Sequence, residues 1–200
     1  MTTFLLVRHA AHDWLGRGLA GRLPGVGLNG PGKEQAQALV QRLADAPLQA
    51  IYCSPQQRTQ ETAAPLAGQR RLTVHIDAAF DEIDFGRWTG RTFGELEAER
   101  EAWAHWCERR GSATPPGGEP FAGVAQRALA GLKRLLREHP DQQVMVVSHG
   151  DVIKAVVATV LDMSLDHLER FEIAPASVTV LAMGEGWQQL RLLNAQGPLR

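Results

Sequence analysis

Two patterns alternate along this chain: short apolar runs of strand length, and longer stretches in which apolar residues recur every three or four positions. Phe4-Leu5-Leu6-Val7, Ala50-Ile51-Tyr52-Cys53 and Val144-Met145-Val146-Val147 are unbroken apolar runs, as strands buried on both faces require. Leu72-Thr73-Val74-His75-Ile76 alternates and predicts another strand. Ala36, Leu39, Val40 and Leu43 predict a helix opened by Pro31. Val124, Ala128, Leu132, Leu135 and Leu136 predict a longer helix that stops near Pro140. Ser54-Pro55 reads as an N-cap followed by a first-turn proline, with a helix to about Leu66 that carries Arg58 in its first turn. Thr92-x-x-Glu95 is a capping-box pattern that predicts one helix through about Glu108. Val152, Val156 and Val160 form the inner face of a helix after His149-Gly150. The tail predicts two strands, Ser177 to Met183 and Trp187 to Leu193, joined at Gly184-Glu185-Gly186.

Strands that alternate with helices predict an α/β fold around a mixed, largely parallel sheet. No repeat, low-complexity tract or linker divides the 200 residues, so a single domain over 1–200 is expected. Pro115-Pro116-Gly117-Gly118 breaks the chain, and residues from about 89 to 121 predict a helical, lid-like insertion. Residues 10–30 form a glycine-rich loop, long enough to suggest a functional one.

Composition narrows the options. A formal net charge of −1 implies no basic face, so nucleic acid is not an expected partner. Cys53 and Cys107 are too few for a disulfide framework or a zinc ribbon. The N-terminal residues lack the pattern of a signal peptide, and no run is long enough to span a bilayer; a cytoplasmic protein with no membrane partner is expected.

Two of the buried runs end in histidine, His9 after Arg8 and His149 before Gly150. Ligands in open α/β sheets bind at the carboxyl ends of strands. Arg58 also follows a strand, and Glu82 lies in Asp81-Glu82-Ile83-Asp84-Phe85-Gly86-Arg87-Trp88-Thr89-Gly90. Two arginines, two histidines and a carboxylate at strand ends are the parts of a phosphoryl-transfer site. Arg8 and Arg58 would hold phosphate oxygens and keep His9 neutral, the nucleophilic form. His149 would donate to an equatorial oxygen, and Glu82 would act as general acid and then base. Asp81 and Asp84 compete with Glu82 for that role. His9-x-x-His12 and His149-x-Asp151 invite a metal reading, but no third pair of ligands follows at metal-site spacing, so no metal is expected. Trp88, beside the acid, is expected to line the pocket, and Arg109-Arg110 to be a solvated helix end rather than a clamp for a second anionic group.

Arg8-His9, Ser54-Pro55-x-x-Arg58, Glu82-x-x-Phe85-Gly86-x-Trp88-x-Gly90 and Ser148-His149-Gly150 together resemble the histidine phosphatase superfamily, in its phosphoglycerate mutase-like branch. The motifs occur in that family's order and cover most of the chain. The resemblance implies a three-layer α/β/α sandwich, a phosphohistidine intermediate on His9, and no metal or other cofactor. It places Arg8, His9, Arg58, Glu82 and His149 in catalysis, with Gly21, Arg22 and Gly150 added for substrate binding. The chain departs from the family at Ala10-Ala11-His12, where glycine, glutamate and serine or threonine are usual. It departs again at Leu15, which aligns with a phosphate-touching asparagine, and Arg22 is the expected substitute. The expected activity is metal-independent hydrolysis of a small-molecule phosphate ester. The alternatives are a cofactor-dependent phosphoglycerate mutase, normally a longer chain, and a non-catalytic phospholigand-binding protein. A homodimer is compatible with the sequence, and the identity of the ester is not legible in it.

Overall fold

The computed structural model describes residues 1–198. Its strands are β1 (Thr2–Arg8), β2 (Leu48–Cys53), β3 (Val74–Ile76), β4 (Gln143–Ser148), β5 (Val178–Gly184) and β6 (Trp187–Ala195). They form one sheet in the order β3-β2-β4-β1-β5-β6. The first four in that order run parallel, and β5 and β6 add antiparallel pairs at one side. The helices are α1 (Gly30–Arg42), α2 (Gln57–Arg70), α3 (Phe93–Glu97), α4 (Arg100–Glu108), α5 (Phe121–Glu138) and α6 (Gly150–Val160).

The continuous apolar runs serve both faces of the sheet. Leu5, Val7, Met145 and Val147 pack with Leu39, Val40 and Leu43 of α1 and with Ala63 and Leu66 of α2. Phe4, Leu6, Val144 and Val146 point the other way, onto Val124, Ala128 and Leu132 of α5 and Val152 and Val156 of α6. Alternate residues of one strand thus feed opposite cores, because side chains on a strand repeat every two positions. The result is an α/β/α sandwich of three layers. Among the described residues, no helix is long and apolar enough to cross a membrane.

Three local differences from the sequence pattern have physical causes. The helix expected from Thr92 to Glu108 is two helices, although the capping box at Thr92 is present. The break brings the Glu99 carboxylate to the indole N–H of Trp88, at 2.7 Å, and to Arg91. The strand expected from Leu72 pairs only from Val74, because the Leu72 amide closes α2 by donating to the Ala67 carbonyl at 3.0 Å. Finally, α2 begins at Gln57 with Gln56 as its cap, so Ser54 and Pro55 lie outside it. Within residues 89–121, Leu96, Trp106, Ala113 and Phe121 are buried in the same core as α5 and α6.

Candidate active site

Strand register brings the site together. β1 and β4 are parallel neighbours with Arg8 opposite Ser148, so His9 and His149 leave adjacent strand ends side by side. Their ring centroids are 5.2 Å apart. On the other side of β4, Cys53 is opposite Val147, which puts Ser54 beside His149. Both histidines are buried, as are Ser54 and Arg58.

Hydrogen bonding assigns the proton on each ring. His9 Nδ1 lies 2.9 Å from the Ala10 carbonyl, which only accepts, so Nδ1 carries hydrogen and Nε2 carries a lone pair. Burial pushes the His9 pKa well down, and the charges of Arg58 and Arg8 push it further, so the ring is neutral. His149 takes the opposite tautomer. Its Nδ1 accepts from Arg58 Nη2 at 3.1 Å, and its Nε2 therefore donates to Ser54 Oγ at 2.7 Å. Thr59 receives the Ser54 hydroxyl at 3.0 Å and donates to the Gln56 carbonyl at 2.7 Å. Burial and the Arg58 charge hold His149 neutral as well. In the free protein the lone pair of His149 Nδ1 is therefore turned to Arg58.

The two arginines are anchored at one end and unpaired at the other. Arg8 Nη1 donates to the Ile173 carbonyl at 2.6 Å, and Arg58 Nη2 to the Gly21 carbonyl at 2.7 Å. Arg8 Nε and Arg58 Nε and Nη1 are buried without a hydrogen-bond partner among the described residues. Buried donors of this kind are uncommon. Gly21 adopts φ of +51°, where a Cβ would meet the Phe85 ring at 3.0 Å. Gly150, the first residue of α6, leaves room for the Arg8 guanidinium: a Cβ there would lie 3.2 Å from Arg8 Nε.

The acidic loop discriminates among its three carboxylates. Asp81 Oδ1 accepts from the Glu82 amide and from Gln56 Nε2, both at 2.8 Å. Asp84 Oδ1 accepts from the Gly86 amide at 2.8 Å. Those two carboxylates shape the loop. Glu82 reaches furthest into the site, with Oε2 at 3.4 Å from His149 Nδ1 and 3.8 Å from Arg58 Nη2, whereas Asp81 Oδ1 comes only to 4.0 Å from His149 Nε2. Burial raises its pKa to about 7, with help from the Asp151 charge and against the pull of Arg58.

Ligating atoms of His9, Glu82 and His149 lie within 4.8 Å of one another, the only such group of three among the described residues. Three donors at that spacing could in principle hold a cation. The adjacent guanidinium groups repel one, and they attract an anion to the same space. Beside the cluster is a cavity of about 250 Å³, lined by Arg8, Glu82, Gly150, Asp151 and the side chains of Arg110 and Lys154.

Several expected residues stand elsewhere. Arg22 donates to the Glu82 carbonyl at 2.8 Å and to Glu119 at 3.1 Å, which ties it to the acidic loop. Trp88 is buried in an aromatic cluster with Trp103 and Trp106 and does not line the pocket. Arg110 is no solvated helix end: it pairs with Asp151 at 3.2 Å and Glu169 at 3.1 Å and packs over Trp106. Sequence reasoning read Ser54 only as a helix cap and passed over Thr59, Thr62 and Arg127. Thr62 accepts from the Ala10 amide at 2.9 Å, and Arg127 braces the Glu82 carbonyl at 3.2 Å. Residues 56–62 are polar throughout, so no periodic signal marks Arg58, Thr59 and Thr62 as the buried face of α2.

The chain resembles known proteins over nearly its whole length. It is 33% identical over 195 residues to phosphoserine phosphatase 1 of Hydrogenobacter thermophilus, covering 97% of this chain and 92% of that protein. It is 30% identical to the adenosylcobalamin/alpha-ribazole phosphatase of Salmonella typhimurium, covering 98% and 97%. The solved structure of Bacillus stearothermophilus YhfR superposes with a TM-score of 0.91 at 31% identity, covering 96% of each chain. Residues 4–196 match the family described as the histidine phosphatase superfamily, branch 1. The chain belongs to the histidine phosphatase superfamily.

Proposed function

We propose that this protein is a phosphatase that hydrolyses small phosphate monoesters through a phosphohistidine on His9, without a metal ion. One observation carries the reading: a neutral imidazole with its lone pair on Nε2 stands among buried guanidinium donors that lack partners. Arg8 and Arg58 hold the non-bridging oxygens, and His9 Nε2 attacks phosphorus. As the P–N bond forms, the P–O bond breaks and its electron pair leaves with the alcohol oxygen. The Glu82 carboxyl proton goes to that oxygen. Glu82 then takes a proton from water, the oxygen of that water attacks phosphorus, and the P–N bond breaks. Phosphate, neutral His9 and protonated Glu82 result.

In the free protein His149 keeps Arg58 in place. A bound dianion next to Nδ1 raises the proton affinity of the ring, so His149 donates to phosphate only once the site is filled. Arg22 and Arg127 are positioning residues for Glu82. The cavity beside Arg110 takes the alcohol part of the ester. Relatives named for phosphoserine and for alpha-ribazole support a small, polar ester as substrate.

A panel of phosphate esters, including phosphoserine, assayed for phosphate release in excess chelator tests this. Turnover of at least one ester is expected, together with an acid-labile phosphoryl label that His9→Ala abolishes. Isomerisation of 3-phosphoglycerate faster than any hydrolysis would replace this reading with a mutase. Phosphate binding with no turnover would replace it with a binding protein.

A further inference from the structure

His12 is a buried, ionisable residue to which the mechanism above gives no task. It occupies one of the positions where the chain departs from its family. Its ring centroid lies 4.9 Å from that of His9, with 41° between the ring planes. It is only 5% exposed. The Trp14 amide donates to His12 Nδ1 at 3.2 Å. An amide cannot accept, so Nδ1 is the bare nitrogen and Nε2 carries the hydrogen. No residue among those described accepts that hydrogen. The ring is near enough to Arg58 and Arg8 for both charges to disfavour its protonation.

We propose that His12 is a phosphate-binding residue that donates its Nε2–H to a non-bridging oxygen of the phosphoryl group transferred to His9. This rests on the function proposed above, and deepens it by adding a neutral clamp to the two cationic ones. Three features of the residue fit the task. The Trp14 amide fixes the tautomer, so the donor is in place before substrate arrives. In the free protein burial, with Arg58 and Arg8, lowers the pKa to about 4, so the donor is uncharged when substrate arrives at pH 5 and above. A third cation beside Arg8 and Arg58 would hold the dianionic product strongly. A neutral donor adds a directed hydrogen bond while adding less charge to that grip.

The test compares His12→Gln, His12→Ala and His12→Phe. Glutamine keeps an N–H donor at the length of Nε2, and phenylalanine keeps the ring without a donor. Orthovanadate inhibition, kcat/KM and the affinity for inorganic phosphate by titration calorimetry are measured for each, with unfolding curves alongside. Alanine and phenylalanine should each weaken orthovanadate inhibition about tenfold and lower kcat/KM by a similar factor, the scale of one hydrogen bond to a charged group. Glutamine should recover most of both. The ratio of wild type to alanine variant in kcat/KM, which reports the free enzyme, should stay constant from pH 5 to pH 8, because unliganded His12 does not titrate there. Wild-type constants in a folded phenylalanine variant would overturn the proposal. So would a loss that glutamine fails to restore, or a ratio that collapses above pH 6.5, which would mark a cationic clamp. If no ester is hydrolysed, the phosphate affinities still decide the role of His12, separately from the proposed activity.

Discussion

Glu82→Gln should inactivate the enzyme and, at alkaline pH, make it more stable. In the native protein the Glu82 carboxyl is held at about 7, against an ordinary value of 4.5, chiefly by burial. A folded-state pKa above the unfolded one means that the native state binds more protons between those two values. Stability therefore falls as pH rises from about 4.5 to 7, and the full penalty is present above pH 7. Raising a carboxyl from 4.5 to about 7 corresponds to about 3 kcal/mol. Glutamine has the shape of the protonated acid and never ionises, so the variant escapes that penalty. Urea unfolding followed by tryptophan fluorescence should show little difference between variant and wild type near pH 4. By pH 8 the gap should reach about 3 kcal/mol in favour of the variant, or about 1–2 M in midpoint at a typical slope. The same variant should lose about 10²–10⁴-fold in kcat on an alkyl phosphate, the usual worth of a general acid. On p-nitrophenyl phosphate, whose leaving group needs little protonation, the first chemical step should suffer far less. A stability gap no larger at pH 8 than at pH 4 would refute the buried-acid argument, whatever happened to activity.

Other substitutions probe the supports of the site. Gly150→Ala would place a methyl 3.2 Å from Arg8 Nε, shift the guanidinium by a few tenths of an ångström, and weaken inhibition by inorganic phosphate about tenfold, with thermal stability unchanged; an unchanged inhibition constant would show that Arg8 adjusts freely. Ser54→Ala strands the buried Nε2–H of His149, a destabilisation of about 1–3 kcal/mol, and should lower kcat more than it raises KM; a pure KM effect would argue against tautomer control. Arg58→Lys keeps the charge but lacks the Nε and Nη1 donors that the guanidinium leaves free while Nη2 is held by Gly21 and His149, so phosphate binding and kcat should both fall about tenfold or more; full activity would reduce Arg58 to a point charge.

The layout of the sheet was legible because strands buried on both faces leave continuous apolar runs, and β1, β2 and β4 all do so. Their ends then identified His9 and His149 as neighbours, since adjacent parallel strands in such a fold stop at one edge. Elements governed by tertiary partners were less legible. Nothing local to residues 92–108 announces that Glu99 bonds the Trp88 indole where the helix is divided. The same holds for Ser54. Its sequence setting fits a helix cap, and only the register of β2 against β4 shows that its hydroxyl faces His149.

Charged residues were legible by type and not by partner. Arg22 and Arg58 carry the same group. Burial separates them: Arg58 is 1% exposed with two nitrogens unpaired, whereas Arg22 is half-exposed and tied to Glu82 and Glu119. The acidic loop behaves alike. Asp81, Glu82 and Asp84 are equivalent candidates in the sequence, yet the shorter side chains turn back onto the backbone amides of Glu82 and Gly86. Glutamate has one more methylene, and here that extra reach carries its second oxygen past the loop to His149 and Arg58. Glu82→Asp should then behave as a misplaced acid, with an unperturbed fold and a kcat close to that of the glutamine variant. A glutamate-like rate in that variant would mean that position 82 supplies charge to the site and not a proton at a defined point.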